Sequence, residues 1–167
     1  MRGFLRGLFK RRQPELNDSI LGKLKYYRDE TDSYWEIVEP WISEQDDAAL
    51  EFLAVPGDES GPFEYGRQFF DKKRGNLSSL WALCEEGLVA AVGTYLPVEK
   101  KSKLREVFKL HSLTMDSQDK WDVGFMHRDS SGTVFVEFRV LNGEVASFDV
   151  DIEHGNSYFT DHHKLGA

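Results

Sequence analysis

The chain has a single cysteine, so no disulfide can form within it, and packing and hydrogen bonding alone must hold the fold. Cys84 sits at helical spacing from Leu80, Trp81 and Leu88, which predicts a buried apolar thiol rather than a nucleophile. One lone thiol also suits a reducing compartment, and the expected location is the cytoplasm. No apolar run approaches the roughly 20 residues that a membrane-spanning helix needs. There is no Gly-x-Ser-x-Gly elbow and no glycine-rich phosphate loop, which excludes the hydrolase and nucleotide-binding designs that such motifs mark. None of the five histidines, His111, His127, His154, His162 and His163, shows the spacing of a helical zinc pair or a Cys/His finger. No metal, catalytic residue or cofactor is implied.

Acidic residues are missing from the first fourteen positions. Residues 1–12 carry Arg2, Arg6, Lys10, Arg11 and Arg12, with Phe4, Leu5, Leu8 and Phe9 between them. This is a short cationic leader, and any contact with an anionic membrane surface would have to come through it. The formal net charge is −8, and five of the 21 basic residues lie in the leader, so the remainder sets 16 basic against 29 acidic residues. A body that acidic repels nucleic-acid phosphates and suits a basic protein partner.

What the sequence does contain is clearest in residues 121–152. Trp121, Val123 and Phe125 alternate with polar or small residues, the loop Asp129-Ser130-Ser131-Gly132 follows, and Val134, Val136, Phe138 and Val140 alternate again. Pairing Arg128 with Thr133 sets Phe125 opposite Val136 and Val123 opposite Phe138. On the other face it sets Asp122 opposite Arg139, a favourable cross-strand charge pair. The second turn is at Asn142-Gly143. A two-residue turn there would place Asp149 opposite Val136 on the buried side, at a high desolvation cost. The expectation is therefore a three-residue loop over 141–143, bulged at Gly143, that pairs Val136 with Phe148 and Val134 with Val150.

Upstream, strands are predicted over 20–28, 34–41 and 50–55, with a break from Pro56 to Pro62. From Phe63 the period becomes helical. Leu77, Leu80, Trp81, Cys84, Leu88, Ala91, Val92 and Tyr95 form one stripe, and Gly75-Asn76 divides two helices. Pro97 redirects the chain, a short helix holds Leu104, Val107 and Phe108, and a strand follows around 110–115. The fold class is α+β, a mostly antiparallel sheet of N-terminal strands and a C-terminal meander, with a central helical layer on one face. The expected organisation is a leader and linker over 1–17, one domain over 18–155, and a loosely held polar tail over 156–167.

Leu21-Gly22-Lys23-Leu24, Trp35-Glu36, the helical middle and Phe108-Lys109-Leu110-His111-Ser112-Leu113, followed by the meander, together resemble small bacterial domains of unknown function of the DUF 2262 type. The resemblance spans residues 18–155. It implies a fold and no activity.

Asp149, Asp151 and Glu153 alternate, so in a strand all three point away from Phe148, Val150 and Ile152. With Glu137 on the neighbouring strand they form a candidate acidic binding face. The leading expectation is a nonenzymatic protein-binding module, of the immunity or adaptor kind, that complements basic groups on a partner. One alternative is a metal-dependent or hydrolytic enzyme using the carboxylates with His127 or His154. The other is a peripheral membrane protein held by its leader. Trp35, Trp41, Tyr26, Tyr27 and Tyr34 crowd the first strands, where core packing is expected.

Overall fold

The computed structural model describes residues 13–28, 32–43, 49–96, 103–130, 132–154 and 157–164. The leader at 1–12, the residues at 29–31 and 44–48, and Pro97 with the bend expected there lie outside that set.

Among the described residues, twelve strands and three helices follow in order: β1 (Glu15–Asp18), β2 (Gly22–Arg28), β3 (Ser33–Ile37), β4 (Trp41–Ile42), β5 (Ala49–Leu50), β6 (Phe52–Asp58), β7 (Gly61–Pro62), α1 (Glu64–Arg74), α2 (Ser78–Tyr95), α3 (Leu104–Val107), β8 (Lys109–Ser117), β9 (Lys120–Asp129), β10 (Gly132–Leu141), β11 (Glu144–His154) and β12 (Ser157–Lys164). One sheet runs β1-β2-β3-β6-β8-β9-β10-β11-β12, with β7 added to β6, and β4 and β5 pair separately. The chain is α+β and mostly sheet. The β6–β8 pairing is parallel, while the other recorded pairings are antiparallel. Parallel neighbours cannot be joined by a hairpin, and here the connection carries all three helices.

The β9–β10 hairpin has the register its sequence dictates. Arg128 pairs with Thr133, Phe125 with Val136, Val123 with Phe138 and Asp122 with Arg139. The second hairpin departs from expectation. Asn142 and Gly143 form a two-residue turn, both with positive φ (54° and 87°), and Leu141 pairs with Glu144. The extra residue enters inside the strand: Val140 pairs with Val145 but Arg139 with Ser147, leaving Ala146 as the bulge. Val136 therefore pairs with Val150 and Val134 with Ile152, two residues from the expected alignment. A shift of two preserves parity, so Phe148 and Val150 are buried as predicted, at 2% and 0% exposure.

Two segments read as irregular are strands. Residues 15–17, expected as linker, pair with β2 together with Asp18, from Glu15↔Lys25 to Asp18↔Gly22. Residues 157–164, expected as a loose tail, pair with β11 from His154↔Ser157 to Ser147↔Lys164. The expected break after Pro56 starts later, because β6 runs on to Asp58 before turning into β7.

The helices divide after Arg74, where Gly75 and Asn76 stand. α1 begins with Glu64 and ends with Lys72, Lys73 and Arg74, charges that suit the helix dipole at each end. α2 buries Leu80, Cys84, Gly87, Leu88, Ala91 and Val92 along one stripe. These join Trp35, Leu53, Val55, Leu113, Val123, Phe125, Val136, Phe138, Phe148 and Val150 in one continuous core. Each large side chain fully buried there stabilises the fold by about 1.5–3 kcal/mol. The Trp81 ring meets Phe125 edge-on at 4.6 Å, and a β-carbon at position 87 would drive into the Phe138 ring, so glycine there sets how closely α2 lies on the strands. Cys84 is 1% exposed, and burial pushes its thiol up to about 12, as befits an inert core group. Tyr26 and Trp35 are also in the core, whereas Tyr27 and Tyr34 stack on each other at 5.6 Å with the opposite strand parity.

Candidate functional site

The strand parity that buries Phe138, Phe148 and Val150 turns Glu137, Asp149 and Asp151 to the other face of the sheet. Glu137 lies opposite Gly124 on one side and Asp149 on the other, and Asp149 in turn lies opposite His162. One position along, Asp151 faces Phe135 and Thr160. Glu153 comes last, opposite Thr133 and Tyr158, and is exposed. All four predicted residues share the face, and three of them are close neighbours.

Their surroundings differ. Asp149 accepts a hydrogen bond from His162 Nδ1 at 2.7 Å, and Asp151 accepts one from Thr160 Oγ1 at 2.6 Å. Asp122, nearly buried, is held by Arg139 through two bonds of 2.9 and 3.1 Å. Glu137 sits in the midst of these groups. Burial raises its carboxyl above the ordinary carboxylate value, as do the charges of Asp122, Asp149 and Asp151, and only Arg139 opposes them. The hydrogen bond to Asp149, and then its charge, raise His162 above the usual imidazole value.

Sequence reasoning missed the partners of this face. The sequence pattern pairs Arg139 with Asp122 without marking them as its border, and it reads His162 and Thr160 as tail. The signal was present: Tyr158, Thr160, His162 and Lys164 alternate with Phe159, Asp161 and His163, a strand pattern whose outward residues are polar.

The remaining histidines are engaged. His127 is nearly buried, its Nδ1 2.9 Å from the Val107 carbonyl oxygen and its Nε2 3.0 Å from Asp129. The imidazole of His111 lies 3.4 Å from Glu51 and edge-on to Phe135, and burial lowers its pKa against the pull of Glu51. His163 stacks on Phe148 at 4.6 Å. Beside it the Tyr95 hydroxyl donates to Asp161, tying the end of α2 to β12; burial, then Asp161, raise Tyr95 to about 12. His154 ends β11, exposed.

Among the described residues, no group of three or more His, Cys, Asp and Glu side chains is arranged to hold a metal ion, and no helix is long and apolar enough to cross a membrane. No protein-family model, curated protein or solved structure matches the chain.

Proposed function

We propose that this protein is a nonenzymatic cytoplasmic module that docks a basic segment of another protein onto the face carrying Glu137, Asp149, Asp151 and Glu153, with the helices roofing the opposite side of the sheet. The observation that carries this reading is Glu137, a half-buried carboxylate beside three like charges and one guanidinium. In the isolated protein that arrangement favours uptake of a proton. A lysine or arginine from a partner supplies positive charge at the same place and relieves the same repulsion. A field of one sign also speeds the encounter with a cationic surface, and salt weakens that effect. The kinship to small bacterial domains of unknown function is part of this proposal.

A titration of the labelled full-length protein with a heptalysine peptide tests it by amide chemical shifts. The expected result is perturbation centred on β10, β11 and β12, weakened by salt and lost in the triple variant Glu137→Gln, Asp149→Asn, Asp151→Asn. Perturbation spread evenly over acidic residues throughout the chain, or unchanged in the triple variant, rejects the face. The enzymatic alternative through His127 has less support, because both ring nitrogens of that residue already face oxygen partners. The membrane alternative rests on residues 1–12, outside the described set.

A further inference from the structure

A second site lies on the same face of the sheet, where two strands part company. β6 and β8 run parallel through only Phe52↔Ser112, Leu53↔Leu113 and Ala54↔Thr114. Past that point β6 stays with β3 through Tyr34↔Pro56 and turns into β7. β8 stays with β9, and an irregularity between Met115 and Ser117 takes Asp116 out of the ladder. Pro56 has no N–H with which to continue the pairing. The carboxyl ends of the two strands therefore diverge, leaving a crevice of about 490 Å³ lined in part by Tyr34, Phe52, Ala54, Pro56, Asp116 and Lys120. That volume falls within the roughly 300–1,000 Å³ range of small-ligand sites.

The lining divides into two kinds. Phe52, Ala54, Pro56 and Met115 are apolar, and the ring of Tyr34 is braced from behind by Tyr27. At the rim, Lys120 Nζ and Asp116 Oδ2 stand 2.5 Å apart, each side chain about half exposed. An ammonium beside a carboxylate, next to an apolar cleft, complements a ligand that carries the same two charges side by side on an apolar body. An exposed ion pair is readily exchanged for such a ligand, because water already shares both its ends.

We propose that this crevice binds a free α-amino acid with a large apolar side chain. The α-carboxylate is taken by Lys120, the α-ammonium by Asp116, and the side chain lies against Phe52, Ala54 and Pro56. Asp32 adds a second carboxylate to the lining, which favours the ammonium end over a plain carboxylic acid. The site uses none of Glu137, Asp149, Asp151 and Glu153, and neither reading requires the other.

Amide chemical-shift titrations of the full-length protein test this, with L-phenylalanine and L-leucine as probes and L-phenylalaninamide, 3-phenylpropionate and glycine as controls. L-Phenylalanine and L-leucine are expected to shift residues 52–56 and 114–120. The amide and the deaminated acid, each lacking one charge, should bind about tenfold or more weakly, the loss that one charge-assisted contact carries. Glycine, lacking the apolar part, should give no shift. Lys120→Met and Asp116→Asn should each weaken L-phenylalanine by a similar factor, and Ala54→Leu should block it. The triple variant of the acidic face should bind it normally. Three results overturn the proposal: no shift with either zwitterion up to its solubility, binding of the amide or of the acid as tight as that of L-phenylalanine, or binding indifferent to Lys120 and Asp116. The ligand series on the unaltered protein decides the matter even if a variant fails to fold.

Discussion

Two seams of the same sheet behave very differently. β9 and β10 are joined by an unbroken ladder of ten residue pairs, closed by a short turn, whereas β6 and β8 touch through three pairs and then separate. The first seam is local: its two strands are adjacent in sequence, and loop length with parity fixes which residues meet. The second joins strands whose connection contains three helices, and its short length leaves the crevice at Asp116 and Lys120. Continuous pairing yields a smooth, charge-bearing surface, and interrupted pairing yields a concave one. The two proposed sites follow from that difference.

The comparison is best broken with Phe138→Ala. Phe138 is fully buried on the long-strand side and touches both Phe125 and Phe148, so truncation is expected to cost about 3–5 kcal/mol in denaturant unfolding. Because the core runs continuously across the β6–β8 seam, amide exchange should accelerate in β3 along with β10. If β3 keeps its protection while β10 loses it, the sheet is two folding units hinged at the short seam.

Arg139→Met comes next, since it leaves Asp122 nearly buried without its guanidinium; a loss of about 1–3 kcal/mol is expected, with partial recovery on adding Asp122→Asn. No recovery in the double variant, measured by the same unfolding curves, would mean that the pair does not hold β9 to β10. Gly143→Ala probes the turn that the bulge at Ala146 accompanies. Nothing crowds a β-carbon there, so only the positive φ of 87° opposes it, and the cost in thermal unfolding should be about 1–2 kcal/mol. A neutral result would show that the turn is not held in its left-handed form.

The smallest effect has the opposite sign. The Glu137 carboxyl is raised in the folded state, so its ionised form costs stability once the pH exceeds that raised value, and the cost vanishes below the ordinary carboxylate range. Glu137→Gln should therefore stabilise the protein at neutral pH by less than about 1 kcal/mol, with the gain disappearing in acid. His162 acts in the reverse direction. Its raised pKa adds stability that is full below the ordinary imidazole value and lost as the pH rises through the raised one, leaving the face more negative. Thermal unfolding of Glu137→Gln and the parent across pH 4–9 reads the first effect, and a gain that persists in acid would contradict it.

The long hairpin was legible because alternation, loop length and the Asp122–Arg139 pair all specify one register. In the next hairpin the extra residue was placed at Gly143, the position that tolerates positive φ, when it lies at Ala146, which carries no local mark. Parity survived because one inserted residue, wherever it falls, flips the faces equally. β12 was missed for a different reason. An edge strand with one outward polar row and little core contact reads as a solvated tail, and only its pairing with β11 reveals it. The acidic face was thus visible in outline, while the hydrogen bonds from His162 and Thr160 that modulate it were not.

By itself, the sequence determined the period of each element, the apolar stripe of the second helix and the side of the sheet on which Asp149 and Asp151 stand, because side-chain alternation along a strand is a local property. Tertiary structure decided which distant strands adjoin, where their pairing gives out and which carboxylates share a neighbourhood. Those outcomes depend on free energy summed over contacts between residues far apart in the chain, which no short window of sequence contains.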